Sequence, residues 1–226
     1  MTQRAAPRAD LDRRLGNLEQ ELVTLGRMVE KAISRSLQAL ADRDLEASRQ
    51  VILEDDYIDS KRFEIEDDCI DIIATHQPVA RDLRLLAAIL HIDGELERMG
   101  DYAEGIAKIS LMMGDEPPLK PLIDIPRMGE KACSMVRRSL EALVNRDTVG
   151  AMQVGADDDE IDALYNQVYH ELILYMLRDP QNIQRATYLL WVAHDLERVA
   201  DRSTNIAERV VYLVTGKMHE VNVHKH

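Results

Sequence analysis

The sequence contains an internal repeat at an offset of about 100 residues, and this duplication constrains the fold more strongly than any other feature. The matched segments are residues 36–44 with 139–147, 55–59 with 158–162, and 96–101 with 196–201. The first two matches have an offset of 103 and the third an offset of 100, so a loop between them must absorb three residues. A duplication of this kind predicts that one set of structural elements is built twice.

Each copy carries segments in which apolar residues recur every three or four positions, the spacing of a helix that buries one face. In the third segments these positions are Leu85, Ile89, Ile92, Leu96, Met99, Ala103 and Ile106, and then Leu189, Val192, Leu196, Val199, Ser203, Ile206 and Val210. The second segments carry Ile58, Ile65, Cys69 and Ile72, and then Ile161, Val168, Leu172 and Tyr175. Opening helices are expected at about residues 9–42 and 124–145. No alternating strand pattern is found, so the sequence predicts an all-α fold of two tandem three-helix bundles.

A proline-rich segment separates the two copies. Residues Gly114–Pro121 read G-D-E-P-P-L-K-P, and proline interrupts a helix because it lacks the backbone N–H. We therefore predict a first three-helix repeat over residues 1–113, a linker over 114–123 and a second repeat over 124–226.

The formal net charge is −13, from 41 acidic and 28 basic residues. Nucleic acids and anionic lipid headgroups attract basic surfaces, so neither is expected as a direct partner, whereas cations and basic protein surfaces are favoured. The sequence has no apolar run long enough to span a membrane, and its opening ten residues lack the apolar core of a signal peptide. We expect a cytoplasmic protein that reaches the membrane only through protein partners.

The two cysteines, Cys69 and Cys133, are too few for a disulfide framework or a CxxC zinc site, which fits a reducing compartment. Both fall among apolar helical positions. We therefore expect them to be small residues of the core.

Among the acidic residues that are separated by one helical turn, four pairs are placed alike in the two copies. They are Asp55 with Asp59, Glu97 with Asp101, Asp158 with Asp162, and Glu197 with Asp201. A single pair carries little information, because a chain with this many acids contains roughly seven such pairs by chance.

The register of these pairs is more informative. If the second and third helices of each copy form an antiparallel hairpin, residues at equal distances from its turn face each other. The first two pairs share a midpoint at Pro78, and the last two share one between Asp179 and Pro180. Proline ends a helix, so a turn is predicted at each of these two midpoints. Turns at these positions would place the acids of each hairpin opposite one another. We call the resulting groups the first cluster (Asp55, Asp59, Glu97, Asp101) and the second cluster (Asp158, Asp162, Glu197, Asp201).

Carboxylates held at one level repel each other, and a bound cation removes that repulsion. Oxygen ligands suit Mg²⁺, Ca²⁺ and Mn²⁺, and bridging carboxylates also hold iron. Neutralisation by Arg62, Arg98 and Arg198 is the alternative explanation for the same residues. His194 is a candidate extra ligand, whereas His91 is expected to be a surface or packing residue.

No motif for nucleophilic or phosphoryl-transfer catalysis is found: the sequence has no Ser/His/Asp signature, no Gly-rich phosphate loop and no HExxH. Di-iron bundles use Glu-x-x-His motifs, and the nearest match is the reversed His194-Asp-Leu-Glu197, whose repeat counterpart is Gly94. The closing His224 and His226 are expected to belong to a frayed tail. The sequence therefore favours a protein that is not an enzyme.

Several motifs taken in order resemble one known family. Gln77-Pro-Val-Ala-Arg-Asp-Leu-Arg84 is followed by Leu96-Glu-Arg-Met-Gly-Asp101 with Ile106-Ala107, and the second half repeats Leu196-Glu-Arg-Val-Ala-Asp201 with Ile206-Ala207. Leu18-Glu-Gln-Glu-Leu22, Met28-Val-Glu30 and Val211-Tyr-Leu-Val-Thr-Gly216 extend the similarity over nearly the whole chain. Together they resemble the PhoU family of phosphate-uptake regulators.

This resemblance implies two three-helix bundles related by a pseudo-twofold axis, with metal sites built from paired E/D-x-x-x-D motifs. The eight residues of the two clusters occupy those motifs, and the ion would be Mg, Mn, Fe, Ca or Zn. Family members are negative regulators of the phosphate-starvation response that link the Pst phosphate ABC transporter to the sensor kinase PhoR, and many form homodimers. The second copy lacks the Gln-Pro and Asp-Leu-Arg residues near Pro180, so the two sites need not be equivalent.

Two other functions stay open from the sequence. One is a carboxylate-bridged di-iron oxidoreductase on a helical scaffold, which redox turnover would reveal. The other is an accessory protein for a different phosphate permease.

Overall fold

The computed structural model describes residues 7–217, and their regular elements are six long α-helices and one short 3₁₀ turn. The helices are α1 (Pro7–Asp42), α2 (Leu45–His76), α3 (Ala80–Met113), α4 (Asp124–Asn145), α5 (Thr148–Arg178) and α6 (Ile183–Thr215), and the 3₁₀ turn is Pro180–Asn182. No strand occurs within this range. Helices α1–α3 pack as one three-helix bundle and α4–α6 as another, which confirms the predicted all-α architecture.

The repeated segment that ends at Asp44 and at Asp147 forms the corner between the first two helices of each bundle. Arg43 and Arg146 take left-handed backbone angles, with φ of 58° and 55°, immediately after α1 and α4. The aspartate that follows each arginine caps the next helix, because its side chain accepts hydrogen bonds from backbone N–H groups of the first turn. The sequence match therefore encodes one corner twice.

The two hairpin turns lie at the predicted prolines. Helix α2 ends at His76 and α3 begins at Ala80, so Pro78 lies inside the first turn. In the second turn the side chain of Asp179 accepts a hydrogen bond from the N–H of Gln181 and caps the 3₁₀ segment. These turns set the register of α2 against α3 and of α5 against α6.

The apolar positions predicted from the helical spacing form the core. All of those in α3 and α6 are buried, including Ser203. In α2 and α5 the predicted positions are also buried, except for Tyr175, which is half-buried. Cys69 and Cys133 are buried free thiols, as expected for core residues.

The two bundles pack against each other through α1 with α4 and through α3 with α6. Gly26 of α1 lies under the side chain of Leu140, and Gly129 of α4 lies under the side chain of Leu37. Gly26 corresponds to Gly129, and Leu37 to Leu140, at the repeat offset of 103. The same glycine–leucine contact is therefore made twice, about a pseudo-twofold axis. A Cβ atom at either glycine would overlap a leucine Cδ1 atom. The glycines therefore permit the close approach of α1 and α4.

The connection between the bundles, residues 114–123, is not helical. Lys120 in this connection is only 7% exposed and forms an ion pair with Glu171 of α5. The buried apolar residues of both bundles belong to one continuous core, and the division of the chain at residues 113 and 124 stays a prediction. Within the described part of the chain, no helix has an apolar stretch that could cross a bilayer.

Replacing Gly26 with alanine should destabilise the protein by about 1–2 kcal/mol. Overpacking a buried site costs about 1–3 kcal/mol, and the gain in helix propensity offsets about 0.5–1 kcal/mol of it. Leu140 is 3% exposed and has little room to move away. Urea denaturation gives the free energy of unfolding of each variant.

Gly16→Ala is the matched control, because Gly16 lies in the same helix and no atom lies within 4 Å of the position its Cβ would take. That variant should gain about 0.5–1 kcal/mol. Equal stabilisation by the two substitutions would contradict a close contact at Gly26.

Candidate carboxylate clusters in the two hairpins

The turn at Pro78 brings the four residues of the first cluster to one region between α2 and α3. Asp55, Asp59 and Glu97 are half-buried, whereas Asp101 is exposed. Asp55 packs on the α3 backbone, where a Cβ atom at Gly100 would lie 3.1 Å from its Oδ1 atom. The small residue of the Leu-Glu-Arg-Met-Gly-Asp motif therefore makes room for a carboxylate from the facing helix.

Three of the first-cluster carboxylates, Asp55, Glu97 and Asp101, have a raised pKa, mainly because they are partly buried and also because of nearby negative charges. Burial raises the pKa of Asp55 to about 7, and the negative charges of Glu104, Asp101 and Asp59 add to this effect. Burial and Asp101 raise the pKa of Glu97. Burial and Asp59 raise the pKa of Asp101. These effects are those expected of like charges on neighbouring helices, and the facing of the four residues stays a prediction.

The second cluster lies in the matching region of α5 and α6. Asp158 is fully buried, and Asp162, Glu197 and Asp201 are half-buried. Each of the four takes part in an interaction with another group. One such contact is a hydrogen bond of 2.6 Å from Arg198 Nη1 to Asp201 Oδ2.

Neutralisation by arginine differs between the two hairpins. Arg198 forms an ion pair with Asp201, as the alternative explanation expects. In the first hairpin Arg62 instead pairs with Glu66, with Nη2 3.1 Å from Oε2, although its charge lowers the pKa of Glu97. Within residues 7–217 no first-cluster carboxylate forms an ion pair with a basic side chain. The arginine explanation therefore accounts for part of the second cluster, whereas the first cluster has basic groups nearby but no direct ion pair among the described residues.

Two acidic residues that the repeat analysis missed also belong to this region. Glu104 of α3 raises the pKa of both Asp55 and Asp101. Asp93 lies one helical turn before Glu97, is 1% exposed, and its pKa is raised to about 7 by burial. Asp93 lies four residues before Glu97, and this spacing could have pointed to it. Its counterpart in the second copy is Ala193, so the repeat did not.

The structure describes two of the four histidines considered in the sequence, His91 and His194. His91 is half-buried, its Nε2 lies 3.7 Å from Glu95 Oε1, and burial lowers the pKa of its ring. His194 is 54% exposed, and its Nδ1 lies 3.7 Å from Glu197 Oε2, so it borders the second cluster. His224 and His226 lie outside the described residues.

The ligand atoms that the first cluster offers are carboxylate oxygens, the type that hard cations prefer. A bound cation would also reduce the repulsion among these carboxylates. A buried oxygen without a hydrogen-bond partner, Asp93 Oδ2, lies beside the first cluster. In the described range, however, no three His, Cys, Asp or Glu side chains are arranged closely enough to hold an ion. Binding would require the side chains to turn toward a common point, and the role of the eight residues as ligands stays a prediction.

The fold and the paired acidic motifs define a duplicated helical protein with one carboxylate cluster in each hairpin. A family model described as the PhoU domain matches this chain twice, over residues 22–110 and 125–210. The chain belongs to the PhoU family. The two matched ranges correspond to the two copies found in the sequence.

Curated relatives and solved structures agree with this assignment. The chain is 40% identical over 216 residues to the phosphate-specific transport system accessory protein PhoU homolog of Aquifex aeolicus. The alignment covers 96% of each of the two chains. A homolog of the same name from Deinococcus radiodurans is 46% identical over 145 residues, 64% of this chain and 68% of that protein.

The crystal structure of PhoU from Pseudomonas aeruginosa aligns with a TM-score of 0.86 at 33% identity, covering 91% of this chain and 99% of the other. The structure of the phosphate transport system regulatory protein PhoU from Streptococcus pneumoniae aligns equally well, with a TM-score of 0.86 and 92% coverage of this chain. The names of these proteins describe accessory and regulatory proteins rather than enzymes.

The variant Asp55→Asn should stabilise the metal-free protein at pH 8 by about 1 kcal/mol, after allowance for solvent screening at this half-buried site. The pKa of Asp55 is raised from 3.8 to about 7, so folding favours the protonated carboxyl. The stability linked to this group is complete below about pH 4 and is lost as the pH rises through 7. An amide is uncharged throughout, so the advantage of the variant should shrink toward pH 4.

Melting temperatures measured with a chelator between pH 4 and pH 8 check this expectation. Asp56→Asn changes the same charge on the exposed face of α2 and should show no comparable pH-dependent gain. A lower melting temperature for Asp55→Asn at pH 8 would contradict repulsion at this site.

Proposed function

We propose that this protein is a cytoplasmic, metal-binding negative regulator of the phosphate-starvation response. It docks on the Pst phosphate ABC transporter and on the sensor kinase PhoR, and it acts as a homodimer without catalysing a reaction of its own. The observation that carries this proposal is membership of the PhoU family over both bundles, with a relative of 40% identity that is aligned along 96% of each chain. That relative is named as an accessory protein of a phosphate-specific transport system.

The architecture supports an adaptor role. Helices of 31 and 32 residues, α5 and α2, contact only helices of their own bundle and so present a long outer face. Large apolar side chains are exposed on these faces, including Leu53 and Tyr57 on α2 and Met152 and Leu177 on α5. Surfaces of this kind suit contacts with other proteins.

The metal sites are part of this proposal. Asp55, Asp59, Glu97 and Asp101 would hold an ion between α2 and α3, and the second cluster would do so between α5 and α6. A bound divalent cation would supply positive charge that offsets the repulsion among the carboxylates and would stiffen each hairpin. The lack of a direct ion pair at the first-cluster carboxylates, within the described residues, is the feature that supports this role.

Chelation should lower the melting temperature of the wild-type protein, because a ligand that binds only the folded state stabilises it. Replacing Glu97 with Gln and Asp101 with Asn should reduce this response to metal and relieve repulsion. In chelator the double variant should therefore be at least as stable as the wild type.

The control is Asp56→Asn combined with Asp67→Asn, which removes two charges from exposed positions of α2. Calorimetry with and without chelator gives the comparison. A chelated double variant at 97 and 101 that melts several degrees lower would indicate that these carboxylates serve in ion pairs instead.

Deletion of the gene should switch on a phosphate-regulon reporter in phosphate-rich medium, and restoring the wild-type chain should silence it. Co-purification with the transporter and with the kinase measures docking directly. Docking on a different permease would favour the alternative accessory role. An unchanged reporter, no co-purified partner and oxygen consumption by the iron-loaded protein would support the di-iron enzyme and overturn the regulator.

A further inference from the structure

The outer face of α2 carries large apolar side chains that the fold leaves exposed. Within the described residues α2 contacts only α1 and α3, so this face is not covered by another helix of the chain. More than half of the surface is exposed for each member of what we call the α2 stripe: Leu53, Tyr57, Phe63 and Ile70. Phe63 is the only phenylalanine of the chain. The stripe extends along about 25 Å of helix at 1.5 Å per residue. Single exposed apolar residues are ordinary on a protein surface, whereas a patch of this length indicates an interaction site.

The same helix is strongly acidic. It contains ten acidic and three basic residues, so its net charge is −7, more than half of the net charge of −13 of the whole chain. The exposed acids that alternate with the stripe along α2 are Asp56, Glu64, Asp67 and Asp71. Glu64 pairs with Lys61 of the same helix, whereas Asp56 and Asp67 form no ion pair within residues 7–217. The outer face of α2 therefore offers both an apolar surface and uncompensated negative charge.

We propose that the outer face of α2 binds a basic amphipathic helix of a partner protein. This inference rests on the proposed function, because it identifies the surface at which the adaptor contacts its docking partner. The backbone groups of α2 are already hydrogen-bonded within the helix, so a partner must bind through side chains, as packed helices do. Apolar residues at every third or fourth position of the partner helix would cover the α2 stripe. Lysine and arginine beside them would face the acids of α2.

Charge distinguishes this partner from the other candidate occupants. A second copy of the chain that paired α2 with α2 would bring together two helices with a net charge of −7 each. Anionic lipid headgroups and nucleic acids would be repelled by the same charge. A basic amphipathic helix is the occupant that complements both the apolar and the acidic side chains.

The second bundle shows that the fold does not require the α2 stripe. At the repeat offset of 103, the counterparts of its first three residues are Ala156, Glu160 and Asn166. Helix α5 is also acidic and also contacts only elements of its own bundle, but the exposed positions between residues 153 and 168 hold no large apolar side chain. The two bundles therefore have different outer faces, and the binding is assigned to α2.

The test uses the full-length protein and two purified probes, the cytoplasmic ATPase subunit of the phosphate transporter and the cytoplasmic region of the sensor kinase. Tyr57→Ala combined with Phe63→Ala should weaken binding to at least one probe at least tenfold in isothermal titration, since aromatic anchors contribute most at interfaces. Asp56→Lys combined with Asp67→Lys should weaken the same binding at least tenfold, and this effect should shrink at high salt. Both variants should melt near the wild-type temperature, because the four side chains are exposed.

Matched controls lie on the outer face of α5. Leu174→Ala combined with Leu177→Ala removes two exposed apolar side chains, and Asp159→Lys combined with Glu160→Lys makes the same change of charge. Both control variants should bind each probe with the affinity of the wild type.

Wild-type affinity of both α2 variants for each probe that the wild type binds would overturn the inference and leave the proposed function intact. Equal weakening by the α5 controls would show that total charge or apolar area matters rather than this face, and it would overturn the inference as well. Sedimentation velocity gives the remaining outcome. A wild-type dimer that dissociates in the variant at 57 and 63 would assign the face to a second copy and contradict the proposal. If the wild type binds neither probe, the proposed docking function and this inference both fail.

Discussion

Repulsion among carboxylates held at one level is the constraint on which the account of this protein depends. The turns at Pro78 and at Pro180 fix the register of two long helix pairs, and this register predicts that the acids of each cluster lie at one height on facing helices. Burial raises the pKa of Asp55 to about 7, and the negative charges of Glu104, Asp101 and Asp59 add to this rise. A fold with one continuous core through both bundles can tolerate this repulsion, since burial of apolar surface dominates folding.

The duplication repeats the backbone more faithfully than it repeats the polar groups. The glycine–leucine contacts at Gly26 and Gly129 are near copies of each other. Between α3 and α6, however, Glu95 accepts hydrogen bonds from Arg202 and Asn205, while its counterpart Asp195 packs beside Gly105 and burial raises its pKa to about 7. The two halves therefore provide similar scaffolds for chemically different sites.

The sequence predicted the helices and the hairpin turns, because helical spacing and proline positions are local signals that the fold preserves. The facing of the acids in each cluster stays a prediction. The sequence did not predict the corner at Arg43 and Arg146. The two sequence segments match there, but arginine rarely takes left-handed backbone angles, so its presence does not indicate a turn. Asp93 has no acidic counterpart in the second copy, where Ala193 stands, so the duplication gave no signal for it. The pairing of Arg198 with Asp201 depends on side-chain rotamers, which spacing cannot decide.

The most direct measurement is anomalous diffraction from crystals grown with Mn²⁺, recorded on either side of the manganese absorption edge. The account predicts an anomalous peak between α2 and α3, within about 2.5 Å of carboxylate oxygens of the first cluster, and a second between α5 and α6. Well-ordered carboxylates paired with arginines and no anomalous peak in either hairpin would contradict it.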